Sequence, residues 1–476
     1  MSSIDALMQE RSPNADADVN GRNRLGETPL IRAGRDGRLG IVCKLLKHKK
    51  IEVNSITYYG FYTALMMASD EGHLDVVLAL LKDDRVDVNS KSKCGRTALM
   101  MASDKGHLDV FLALLKDDRM EVNAKNHHGC TALMMASSNG RLNDVLALLK
   151  DDRVEVNEKT DGGTTALIMA SDEGHLDVVL ALLEDNRVEV NAKTYFGCTA
   201  LITATRNRRL IVVLALLKDN RVKVNAKTDD GYTALTWASF LGRKACVSMF
   251  LKDNRVNVNA KTNDGYTALT MACKWGHLDV VQALLKDDRV EVNAKTFGGY
   301  TALTIASVMG REACVSMFLK DKRVEVNTKK YDGSTALIMA SKGGHLDVVL
   351  AFLQHDRVDV NAKDNMGRSA FFWASYGGNR RSMDVFLNHE GVDINAAGAL
   401  GNTALMWACL RGQQDVVSVL LACPAMVDVH AKNKAGSTAL DIARELQMFE
   451  IVTWLEERAK ECFAGIHGSE GQSEAN

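Results

Sequence analysis

Proline is almost missing from this sequence, with 3 residues in 476. Extended Pro-rich linkers and loop-dominated folds are therefore excluded, and a compact helical chain is favoured. Aromatic residues are sparse too, at 6%, so any place where they gather is informative. An excess of one charge is also lacking. Lysine plus arginine number 59 against 60 aspartate plus glutamate, a formal net charge of -1, which gives no global pull toward nucleic acid or an anionic membrane. No apolar run approaches the roughly 18 residues that suggest a membrane span. Residues 1–23 carry Asp5, Glu10, Asp16 and Asp18 and no stretch of signal-peptide character. The 10 cysteines form no Cys-x-x-Cys pair and no Cys/His cluster at zinc-ligand spacing. They read as reduced, mostly buried thiols, which predicts a cytoplasmic or nuclear protein. Phosphate-binding loops, His-Glu-x-x-His helices and Gly-x-Ser-x-Gly elbows are absent as well. The expectation is a chain that is no enzyme, with no catalytic residues, no metal, no cofactor and no small-molecule substrate.

What is present is a repeat. A threonine opening a Thr-Ala-Leu-like segment stands at Thr28 and Thr63, then every 34 residues to Thr403, with Ser369 standing in once, and finally at Thr438. Self-similarity at such a period decides the architecture before any helix or strand is assigned. In the eighth repeat, Thr267 is placed to cap a helix, and Ala268, Leu269, Met271 and Ala272 then fall on one helical face. Gly276 and His277 break that helix at a tight turn. Leu278, Val280, Val281, Leu284 and Leu285 follow with helical period, predicting a second amphipathic helix, an extended stretch over 290–292 and a turn over 293–299. Two such short helices cannot cover both of their apolar faces, so each repeat must stack on its neighbours.

The pattern G-x-T-A-L-x-x-A-S-x-x-G-H-L-D-V-V-x-A-L-L closely resembles the ankyrin repeat, over about residues 20–460. The resemblance implies an all-α repeat solenoid, with stacked helix-turn-helix units joined by β-hairpin-like turns. Two departures stand out. Only Thr28-Pro29-Leu30 keeps the family's proline, and each unit carries one residue more than the usual 33, within Lys-Asp-Asp-Arg-Val-Glu. That loop is expected to swing and bury its valine, as at Val86 and Val290. The expected layout is an N-terminal cap segment over 1–20, in which residues 3–11 form a helix remnant, a repeat array over 21–462 and a disordered tail over 463–476.

Function is expected from positions that the fold does not need. The pair before the inter-helix glycine is polar in early repeats, as Asp70-Glu71 and Asp172-Glu173, and becomes Phe240-Leu241, Lys274-Trp275 and Val308-Met309 in repeats seven to nine. The residue before the capping threonine is Tyr232, Tyr266 and Tyr300 in the same three. Large apolar side chains at exposed positions mark interfaces, and Trp and Tyr are enriched among hot spots. The candidate partner-binding set is therefore Tyr232, Phe240, Leu241, Tyr266, Trp275, Tyr300, Val308 and Met309, with internal repacking against a rewritten second helix (residues 245–250 and 313–318) as the competing reading. Replacing the three tyrosines and Trp275 by serine is expected to leave thermal unfolding nearly unchanged.

Other rows read as structural. The histidines of five Gly-His pairs, among them His73, His277 and His345, are too far apart to share a metal and are assigned to turn backbone groups. A lysine row including Lys91, Lys261 and Lys329 alternates with Asp-Asp or Asp-Asn, which argues for a solvated face over a phosphate-binding stripe. The hairpin asparagines, such as Asn89 and Asn293, are expected to brace their turns. Trp237, Trp373 and Trp407 are assigned to the core. The row Leu78, Leu112, Leu146, Leu180, Leu214 and Leu350 is expected to pack on the lengthened loop, with an apolar ridge as the alternative. The functional expectation is a monomeric protein-protein scaffold or adaptor that binds a protein partner on the concave face, without nucleic acid or membrane. The alternative is a regulatory or targeting subunit of a separate enzyme or, by the resemblance, a substrate of an asparaginyl hydroxylase.

Overall fold

A computed structural model describes residues 18–423 and 427–470, with side chains to residue 460. Twenty-six α-helices appear among the described residues, two for each of the thirteen repeats. No strand is found among them; the links between repeats are turns. The chain divides into two compact units between Ala234 and Leu235. The N-terminal cap expected over residues 1–20 falls outside the described residues as far as residue 17. The tail placed at 463–476 begins differently from expectation, because the last helix continues through Phe449–Glu470.

The local grammar is the same in both units. In the third repeat, Thr97 lies in extended backbone (φ -90°, ψ 168°) and its hydroxyl accepts from Met100 N–H, capping helix Ala98–Lys105. Such a cap supplies one of the bonds that a helix start lacks. Gly106 at φ 81° ends the helix, in a left-handed conformation that costs a side-chain-bearing residue about 1–2 kcal/mol. The second helix, Leu108–Leu115, buries Val110, Phe111, Leu114 and Leu115. In the eighth repeat, Ala268–Trp275 and Leu278–Leu285 repeat this arrangement. The stretch 290–292, expected to be extended, forms tight turns instead, closed by Val290 N–H to Asp287 O and Ala294 N–H to Glu291 O, both at 3.1 Å. Val86 and Val290 are buried there, as the lengthened loop predicts.

Stacking is held by more than apolar contact. Three rows of side chains reach into the neighbouring repeat's backbone. Asn89 Nδ2 donates to Arg119 O at 2.8 Å while its Oδ1 accepts from Glu121 N–H at 2.8 Å. The asparagines therefore brace the next repeat's loop rather than their own turn. Arg119 Nη2 donates to Leu81 O at 2.8 Å, at the end of the previous repeat's second helix, and is itself held by Asp117 at 2.7 Å. A cation at a helix C-terminus is favourable, and the arginine's donors hold the Asp117 carboxyl below the usual aspartate range. Lys261 Nζ donates to Lys295 O at 2.9 Å. The charged rows of the sequence are thus staples between repeats.

Candidate partner-binding site

The five histidines form a fourth row. His345 Nε2 lies 2.8 Å from Val308 O, and His277 Nε2 lies 2.9 Å from Phe240 O. Each ring meets the last turn of the preceding repeat's first helix, over a glycine where any Cβ would strike the imidazole, as at Gly310. Arg141 and Gln413 make the equivalent contact in other repeats, to Asp104 O and Tyr376 O. No group of three or more His, Cys, Asp or Glu among the described residues is arranged to hold a metal ion. No helix among them is long and apolar enough to cross a membrane.

The eight candidate residues separate by exposure. Trp275 and Met309 are 49% and 42% exposed. Phe240, Leu241, Tyr266, Tyr300 and Val308 are half-buried, contrary to their reading as exposed positions, and so is Tyr232 in the N-terminal unit. The reason is that the rings lie back on the stack. Phe240 meets Trp237 edge-on at 5.4 Å and Trp275 edge-on at 5.1 Å. Lys274 Nζ sits 4.6 Å from the Tyr266 ring centroid, and Lys330 Nζ sits 4.7 Å from that of Tyr300. Packing within the stack thus engages the rings of Phe240, Tyr266 and Tyr300, while Trp275 and Met309 are the more exposed of the eight. In the rewritten second helix, Cys246, Val247 and Phe250 fill the core.

Trp373 and Trp407, expected in the core, belong to a second aromatic cluster in the C-terminal unit that is not fully buried. Trp373 and Trp407 are half-buried. Trp373 lies 5.5 Å from Tyr376, which lies 6.1 Å from Trp407. Cations cover these rings: Lys342 Nζ at 4.5 Å and Arg368 at 4.4 Å from Trp373, and Arg411 at 4.9 Å from Tyr376. An ammonium or guanidinium over a ring face is attracted by the ring's quadrupole. Trp237, assigned to the core with them, is half-buried as well.

Two further apolar surfaces differ from expectation. Leu78, Leu146, Leu180 and Leu214 of the outer row are exposed rather than packed on the loop, because the loop turns its valine inward; Leu112 and Leu350 are half-buried. Sequence reasoning also missed the turn tips. Tyr59, Phe196, Phe297 and Tyr331 are among the most exposed large apolar residues. Tyr59 and Phe196 stand one residue before the turn glycine, and Phe297 and Tyr331 two before it, so the signal is a comparison of both positions across repeats. Successive tips are joined by the backbone, as in Ala399 N–H to Met366 O at 2.8 Å.

Among known proteins, no curated protein matches the chain. A family model described as ankyrin repeats in three copies matches eight overlapping stretches that together run from residue 2 to residue 463. With matches tiling nearly the whole length and thirteen helix pairs among the described residues, the chain belongs to the ankyrin repeat family.

Proposed function

We propose that the chain is a non-catalytic binding protein, a scaffold or adaptor, whose docking surface is the first-helix face of the C-terminal unit. Ankyrin repeats are generally protein-protein interaction modules, and the observation that supports this face is the exposure of Trp275, packed edge-on against Phe240, and of Met309 one repeat further on. Exposed Trp side chains on a rigid support are strong interface anchors, because they bury large areas at little entropic cost. Membership of the family leaves the partner to be identified. The test is affinity capture from native extract with wild type and with Trp275→Ser/Met309→Ser in parallel. These two are the substitutions to use, since Tyr266 and Tyr300 are half-buried and their loss would cost stability. A partner retained by wild type and lost by a variant with unchanged thermal unfolding supports the reading. The same proteins captured by both would move the binding surface elsewhere, and capture of nothing above background would overturn the proposal.

A further inference from the structure

On the first-helix face of the C-terminal unit, cations stand without anions. The pairs before the inter-helix turn contain no acid from Phe240-Leu241 through Leu410-Arg411. They do contain Lys274, Lys342 and Arg411, each seated on an aromatic ring at 4.5–4.9 Å, and none has a carboxylate partner among the described residues. The carboxylates nearest in sequence, Asp279, Asp347 and Asp415, stand in the first turn of the second helices, where Asp279 meets Lys244 at 3.8 Å; toward the turn tips, Asp332 is engaged by Lys330 at 3.0 Å, Asp364 by Arg368 at 2.9 Å, and Asp264 lies at an exposed tip. A ring strips water from one side of an ammonium and leaves its other donors outward, where a carboxylate supplies the charge that the ring only partly provides.

We infer that this face binds an acidic polypeptide segment, with carboxylates seated on Lys274, Lys342 and Arg411 and an apolar side chain between them on Trp275 and Met309. The inference rests on the protein-binding reading above and names the chemistry of its partner. Spacing sharpens it. Lys274 and Lys342 are two repeats apart, as are Lys342 and Arg411, and helix layers about 8–10 Å thick place neighbouring cations about 16–20 Å apart. Extended chain covers that distance in about five or six residues. A nucleic acid strand fits less well: its phosphates come at much closer intervals, and the rings that would stack bases already carry cations.

The experiment is a selection of displayed random 16-residue peptides on the full chain, followed by binding of the enriched peptides to wild type and to Lys274→Gln/Lys342→Gln/Arg411→Gln. Peptides carrying two carboxylates five or six residues apart around an aromatic or large aliphatic residue are expected. Their affinity should fall at least tenfold in the triple variant, be retained in Lys274→Arg/Lys342→Arg, and weaken with added salt. Thermal unfolding of the triple variant checks that it remains folded. Enrichment of neutral or basic peptides, or acidic ones bound equally by the triple variant, overturns the inference and leaves the protein-binding reading standing. So does a 20-nucleotide oligo(rU) that displaces the acidic peptides and loses binding in the same variant, since the face would then serve nucleic acid. No enrichment at all overturns the inference as well, and the Trp275→Ser/Met309→Ser capture then decides the broader reading separately.

Discussion

The two units share every clamp and differ in what they present. In the N-terminal unit, the pairs before the inter-helix turn hold six acids: Asp36, Asp70, Glu71, Asp104, Asp172 and Glu173. Several are matched internally, Asp70 by Lys105 at 3.9 Å, Asp104 by Arg96 at 3.1 Å and Glu173 by Arg209 at 3.8 Å. Burial pushes the Asp70 and Asp172 carboxyls up. The same positions in the C-terminal unit lack acids as far as Arg411 and carry cations on rings. The contrast teaches that stacking is carried by bonds from side chains to the neighbouring backbone, which any sequence supplies, so the pre-turn positions are free to diverge without loss of fold.

The largest effect that would sharpen this comparison lies inside the N-terminal unit. Asp144 stands where the other repeats bury Val76, Val110 or Val178, and it is itself buried. One carboxylate oxygen accepts from Ser103 Oγ at 2.8 Å. Burial raises its pKa, against the lowering effects of the Ser103 bond and of Arg141. A raised value in the fold means that folding favours the neutral form more than the unfolded chain does. Its contribution to stability is complete below the unfolded value of about 4 and is lost as pH rises through the folded value. Asp144→Val should therefore stabilise the helices Ala98–Lys105 and Leu142–Leu149 by about 2 kcal/mol at neutral pH, and by less near pH 4. Hydrogen exchange on these helices, corrected for intrinsic rates, is the appropriate measurement, because repeat arrays open locally. A destabilised Asp144→Val variant would show that the carboxyl is a net asset to the stack.

A smaller effect tests whether the two units are equally clamped. His107 contacts Asp70 O at 3.0 Å in the N-terminal unit, and His345 contacts Val308 O in the C-terminal unit. Substitution of either by alanine removes a hydrogen bond and leaves the ring's place over a glycine empty, a loss of about 1–2 kcal/mol each. His→Arg at either position should cost less, since Arg141 and Arg209 already occupy the equivalent place and bond Asp104 O and Asp172 O. Urea unfolding of the four single variants reads this directly. If the alanine variants differed strongly between units, the clamps would not be the common frame that lets the faces diverge.

Much of the frame was legible because its determinants are local. A threonine cap acts three residues away, and a turn glycine acts on its own φ, so a 34-residue period exposes both. The staples were legible as rows but not as bonds, because their partners lie 30 to 38 residues away in the next or the previous repeat; Asn293 to Arg323 O is one such case. Exposure was the least legible. Tyr266 and Trp275 both looked free in sequence, yet one ring lies back under a lysine and the other projects, a difference set by which neighbour each ring meets.

The smallest effect concerns a position where the N-terminal unit breaks the shared grammar. The sixth repeat has no inter-helix glycine, and Arg208 holds φ 61° there. A side-chain-bearing residue in that region is strained by about 1–2 kcal/mol. Arg208→Gly relieves the strain, but it also gives the unfolded chain more freedom, which takes back about 0.5–1 kcal/mol. The net gain should be about 0.5 kcal/mol, seen as slower exchange at the end of helix Ala200–Arg206 and the start of Leu210–Lys218. Because the glycine's Cα hydrogen replaces an exposed side chain, no packing is lost to mask the balance. Unchanged or faster exchange would mean that the strain at Arg208 is already offset by its surroundings, and that the turn glycine of the other repeats is kept for the close approach of the next repeat's side chain rather than for its φ.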